Sequence, residues 1–121
     1  MTSYKNLEAW KKAMQLVKRI YVLLDTYPKQ ELYALTSQTK RAVISVPSNI
    51  AEGAGRNYRK DTIQFLHIAR GSLYEVETLL NIAVMVGAIA ESSFAAIEEN
   101  INECLRLLNG LIGWYEKADL H

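Results

Sequence analysis

Few side chains in this sequence are of a type that does chemistry. Ser45 and Ser48 flank Pro47 in the stretch Ser45-Val46-Pro47-Ser48-Asn49-Ile50-Ala51-Glu52-Gly53, and to act as nucleophiles they would need a base that the pattern does not supply. His67 and His121 are the two histidines. No pair of His, Cys or carboxylate side chains has the spacing of a helical metal site, such as two histidines four apart with a glutamate between them. The one cysteine, Cys104, cannot form an internal disulfide, and its apolar neighbours suggest a buried thiol. Gly53 and Gly55 follow a helical pattern and do not link a strand to a helix, so they are not a phosphate-cradling loop. No catalytic activity, metal or cofactor is expected.

Charge offers more. Residues 1–60 hold eleven Lys/Arg against four Asp/Glu, a net of +7, and residues 61–121 hold three against nine, a net of −6. Such a division points to a polar interface or an anionic partner. Lys11 with Lys18 and Lys12 with Arg19 recur at seven residues and form a basic stripe on one helix. Lys40 and Arg41 sit on the exposed side of the next, and Arg56, Arg59 and Lys60 make the most basic connection in the chain. These nine are the candidate phosphate contacts.

The elements that position them are helices. Leu7, Trp10, Met14, Val17, Tyr21 and Leu24, flanked by Ala13, Ile20 and Tyr27, outline a first helix that Asn6 caps and Pro28 ends. A short turn over Gln30–Leu35 leads to a second helix over about Thr36 to Gly53, carrying Pro47 inside the pattern of Val43, Val46, Ile50 and Ala54. An interior proline costs about 3 kcal/mol, so this helix is expected to be kinked there for a packing reason. Ser45, Ser48, Ala51, Gly53 and Ala54 are small enough for a neighbouring backbone to come close, and together with Pro47, Asn49 and Glu52 they form the structural motif of the chain. Asp61 or Thr62 opens a third helix with two apolar seams, ended by Gly87, along which His67, Arg70, Tyr74, Glu77 and Asn81 form a polar line and a candidate subunit interface. Ser92 or Ser93 caps the fourth, where Phe94, Ile97, Ile101, Cys104, Leu108, Leu111, Tyr115 and Ala118 alternate by three and four. Short connections make sequence neighbours antiparallel, so the expected fold is all-α, an up-and-down four-helix bundle in a single domain over residues 1–121. Lacking a cleavable leader or an apolar run of membrane-spanning length, the chain is expected to be cytoplasmic with no membrane partner.

With Pro47 placed on the second helix, a resemblance emerges. Glu31 to Arg56, reading ELYALTSQTKRAVISVPSNIAEGAGR, Phe65 to Leu80, reading FLHIARGSLYEVETLL, and Tyr4 to Ala13, reading YKNLEAWKKA, resemble the four-helix-bundle family encoded in intervening sequences of bacterial 23S ribosomal RNA genes. The resemblance implies a ring-shaped homopentamer without established enzymatic activity. The family is also similar to the accessory protein of diversity-generating retroelements, which implies RNA or DNA and a reverse transcriptase as partners. Two readings follow: a nucleic-acid-binding assembly module, or a scaffold whose basic and acidic halves pair between subunits and leave no anionic ligand.

Overall fold

The computed structural model describes residues 3–118, and His121 lies outside them. Four helices dominate: α1 (Glu8–Leu24), α2 (Ser37–Ala54), α3 (Arg59–Met85) and α4 (Glu91–Ala118). A 3-10 turn at Tyr4–Asn6 precedes α1, and a 3-10 turn at Lys29–Glu31 followed by a π turn at Leu32–Thr36 leads into α2. The helix α1 packs on α2 and α4, and α3 packs on the same two. The four therefore run around a square as the up-and-down bundle expected from the periodicity. No described helix is long and apolar enough to cross a membrane.

Several local expectations shift. Asn6 does not cap α1; it lies in the preceding 3-10 turn, where the Ser3 hydroxyl accepts from the Lys5 N–H at 3.2 Å. The first helix ends at Leu24, well before Pro28. The third starts at Arg59, ahead of Asp61 and Thr62, because extended backbone at Tyr58 lets its carbonyl accept the N–H groups of both Asp61 and Thr62 at 3.1 Å. Asp61 then stands in the first turn, where a carboxylate suits the positive helix end. The fourth helix begins at Glu91, so Ser92 and Ser93 lie inside its first turn, and the Ala90 carbonyl takes the opening hydrogen bonds. Gly87 ends α3 as expected. Its φ of +81° reverses the chain, with the Ala88 N–H on the Ala83 carbonyl at 2.8 Å and the Gly87 N–H on the Val84 carbonyl at 3.1 Å.

The buried rows differ from the sequence seams in an instructive way. In α1 the row facing the core is Ala9, Ala13, Leu16, Ile20 and Leu24. The row expected there is turned aside: Trp10, Val17 and Tyr21 are half-buried and Met14 is 44% exposed. In α4, Phe94, Ile97, Ile101, Cys104 and Leu108 are buried, but the next position is Ile112, with Leu111 and Tyr115 only half-buried. A three-four alternation drifts about 20° per heptad from a straight helix, so after two heptads the neighbouring residue takes the centre.

The helices α2 and α3 approach each other closely around Gly53. A Cβ at Gly53 would stand 3.0 Å from the Phe65 Cβ and 3.1 Å from the Thr62 carbonyl oxygen. The helix α2 continues on both sides of Pro47, which is buried together with Val43, Val46 and Ile50.

Candidate functional site

The Ser-Pro segment is a junction. Ser45 lies where α2 faces α3, and its hydroxyl accepts from the Ser72 hydroxyl and from the Asn49 side-chain amide, both at 2.8 Å. The same amide donates to the Ser45 carbonyl at 2.8 Å, and the Ser48 hydroxyl donates to the Ile44 carbonyl at 2.8 Å. At the other end of the segment the Thr62 hydroxyl donates to the Gly53 carbonyl at 2.7 Å in a buried bond. Glu52 pairs with Arg56 at 3.5 Å, and the Arg56 guanidinium lies over the Phe65 ring at 4.5 Å. These contacts of Ser45, Ser48, Asn49 and Gly53 fasten α2 to itself and to α3. The small residues divide: Ser45 and Gly53 face α3, whereas Ser48 and Ala51 line an open groove beside α1.

The nine basic candidates fall in three separate places. Lys12 and Arg19 are turned toward α4: Lys12 pairs with Glu103 at 3.3 Å, and the Arg19 guanidinium donates to the Asn100 side-chain oxygen and, at 3.2 Å, to the Ala96 carbonyl. Lys11 pairs with Glu8 at 3.5 Å, and Lys18 is exposed without an acidic partner among the described residues. On α2, Lys40 rests over the Tyr21 ring at 5.0 Å and Arg41 points outward. Arg56, Arg59 and Lys60 cluster at the α2–α3 end, where Arg59 is half-buried and Lys60 exposed. The basic stripe of α1 is therefore split: Lys12 and Arg19 are engaged by the fourth helix, and of these two only Lys12 meets a carboxylate there.

The polar line of α3 borders α4. Arg70 donates to the Asn109 side-chain oxygen at 2.9 Å and contacts His67 Nδ1 at 3.0 Å, so two of its members are engaged inside the chain. The Asn81 amide donates to the Glu77 carbonyl at 2.9 Å. Tyr74 is 49% exposed between them.

One feature escaped the sequence pattern. Tyr4, Trp10, Met14 and Val17 on the α1 side and Ile44, Pro47, Ser48 and Ala51 on α2 enclose an open, mainly apolar groove of about 380 Å³. The signal was present in the second apolar row of α1, but a row at helical spacing does not say whether its partner is its own core or another molecule. Cys104 sits in the core with its thiol pushed up to about 12 by burial, with Glu103 adding to the shift and Lys12 opposing it, which suppresses the reactive thiolate. Among the described residues no three His, Cys, Asp or Glu side chains gather as a metal site.

Comparison with known proteins agrees with this architecture. A family model described as "23S rRNA-intervening sequence protein" matches residues 5–110. The fold is similar to the crystal structure of a protein with unknown function from the S23 ribosomal protein family of Bacteroides thetaiotaomicron VPI-5482, with a TM-score of 0.79 and 25% identity over 86% of this chain and 97% of that one. No curated protein matches.

Proposed function

The chain belongs to the 23S rRNA-intervening sequence protein family, and from that premise we propose that it works as a non-enzymatic assembly module whose copies associate into a homo-oligomer. The observation that carries this reading is the open groove between α1 and α2, which leaves Met14 44% and Ile44 43% exposed on a continuous apolar surface. Covering such a groove with a second copy would remove its exposed apolar side chains from water, which favours association. The occupied hydroxyls of the Ser-Pro motif and the suppressed Cys104 thiolate support a structural use of the residues that looked most reactive. The family resemblance sets the expected number of copies at five. Light scattering after size exclusion at micromolar concentration is then expected to give about five times the single-chain mass of 13.7 kDa. A single-chain mass ends this reading.

A second reading, binding of RNA or DNA, is supported by Arg41 and Lys60, which are exposed and without acidic partners among the described residues. A reverse transcriptase enters as a partner only with this reading. Lysine and arginine side chains on helix surfaces hold backbone phosphates, so selectivity for sequence is expected to be weak and salt dependence strong. Replacing Lys12 or Arg19 would disturb their contacts with α4 as well, so the informative variant is Arg41→Gln with Lys60→Gln. Fluorescence anisotropy with labelled RNA and DNA at several salt concentrations is expected to show weaker binding and a shallower salt slope for that variant. Equal binding by variant and wild type, or no binding by either, removes this reading.

A further inference from the structure

Two faces of the bundle stand without partners, and they differ in sign. On one side, Lys40 stands one turn before Ile44 of the apolar α1/α2 groove, and Lys18 stands one turn beyond Met14, on the stretch of α1 that also lines the neighbouring α1/α4 groove with Val22 and Ala96. Neither lysine has an acidic partner among the described residues, and Lys40 rests on an aromatic ring. The seam between α3 and α4 lies across the square from this groove. There the Arg70–Asn109 bond fixes which stripes of the two helices are neighbours. Tyr74 and Glu77 continue the α3 stripe from Arg70, and Glu98 and Glu91 stand about three and five turns before Asn109 on α4. None of these three carboxylates has a basic partner among the described residues.

Resting on the self-assembly reading above, we infer that the basic, apolar α1/α2 groove of one copy is covered by the acidic α3/α4 face of the next, with Tyr74 as the apolar anchor and Glu77 and Glu98 meeting Lys18 and Lys40. The sign of the charges decides between contact types. A two-fold contact through either face would set lysine against lysine or glutamate against glutamate, and like charges brought together at an interface oppose association. A head-to-tail contact brings opposite signs together and leaves each copy with one donor face and one acceptor face, the geometry from which rings are built. It also explains why a chain of nearly neutral total charge concentrates +7 in its first half and −6 in its second. Lys18 and Lys40 are then interface residues, leaving Arg41 and Lys60 among the exposed cations outside the contact.

The test uses two charge-reversed chains, Lys18→Glu with Lys40→Glu and Glu77→Lys with Glu98→Lys, each checked for native helicity and unfolding by circular dichroism. Each alone is expected to have the single-chain mass of 13.7 kDa. Mixed in equal amounts, they are expected to recover an oligomer containing both, because one chain's reversed groove now fits the other's reversed face. A folded reversed chain that assembles like the wild type overturns the inference, as does a mixture that stays dissociated. Should a reversal prevent folding, the neutral pair Lys18→Gln with Lys40→Gln decides: a dissociation constant raised about tenfold or more supports the contact, and an unchanged one overturns it. A wild type that is itself a single chain refutes the assembly reading, an outcome distinct from an oligomer indifferent to these charges.

Discussion

Substituting Gly53 by alanine tests the packing of α2 on α3 most directly. The added methyl would lie 3.0 Å from the Phe65 Cβ and 3.1 Å from the Thr62 carbonyl oxygen. Neither neighbour is the free end of a flexible side chain, so relief requires the two helices to move apart by a few tenths of an ångström. Overpacking of this kind costs about 1–3 kcal/mol. Opposing it, alanine is the better helix former by about 1 kcal/mol. The net expectation is a loss of stability of about 1 kcal/mol. Gly110, also inside a helix but with nothing within 4 Å of a built Cβ, supplies the control. There the propensity gain acts alone, so Gly110→Ala is expected to stabilise by about 1 kcal/mol. The propensity contributions cancel in the comparison, and the difference between the variants isolates the clash at about 1–3 kcal/mol. Urea unfolding followed by circular dichroism at fixed chain concentration measures both. If Gly53→Ala is as stabilising as Gly110→Ala, α2 and α3 do not approach closely at Gly53.

Two further outcomes follow from buried groups. Thr62→Val removes the hydroxyl that donates to the Gly53 carbonyl at 2.7 Å, and since that carbonyl keeps the Arg56 N–H at 3.1 Å, the expected loss in urea unfolding is about 1 kcal/mol. Burial raises the Cys104 thiol from its ordinary 9.0 to about 12 and the Tyr27 hydroxyl from 10.0 to about 12. Both neutral forms are favoured in the folded chain, so the unfolded chain releases these protons first, and stability is expected to be intact below about pH 9 and to fall from there toward pH 12. Unfolding free energies measured between pH 8 and 11 are expected to decline, and to decline less steeply in Cys104→Ala, although that variant is less stable throughout. An equal slope in both proteins would contradict a buried neutral thiol.

The amino-acid sequence by itself determined the four helices and their antiparallel order. These depend on local periodicity, on Gly87 as a stop and on connections too short to let neighbouring helices run parallel. The charge division was equally legible, because counting needs no coordinates. What only the tertiary structure decided is direction. Both apolar rows of α1 have helical spacing, and contact with α2 and α4 together chose Ala9, Ala13 and Leu16 for the core, leaving Met14 on the wall of an open groove. The stripe from Lys11 to Arg19 reads as one surface along the chain, but Lys12 and Arg19 turn to Glu103, Asn100 and Ala96 while Lys18 is exposed. Helical spacing fixes which residues share a side of one helix. Which side becomes interior, seam or open surface depends on how the neighbouring helices are placed around it.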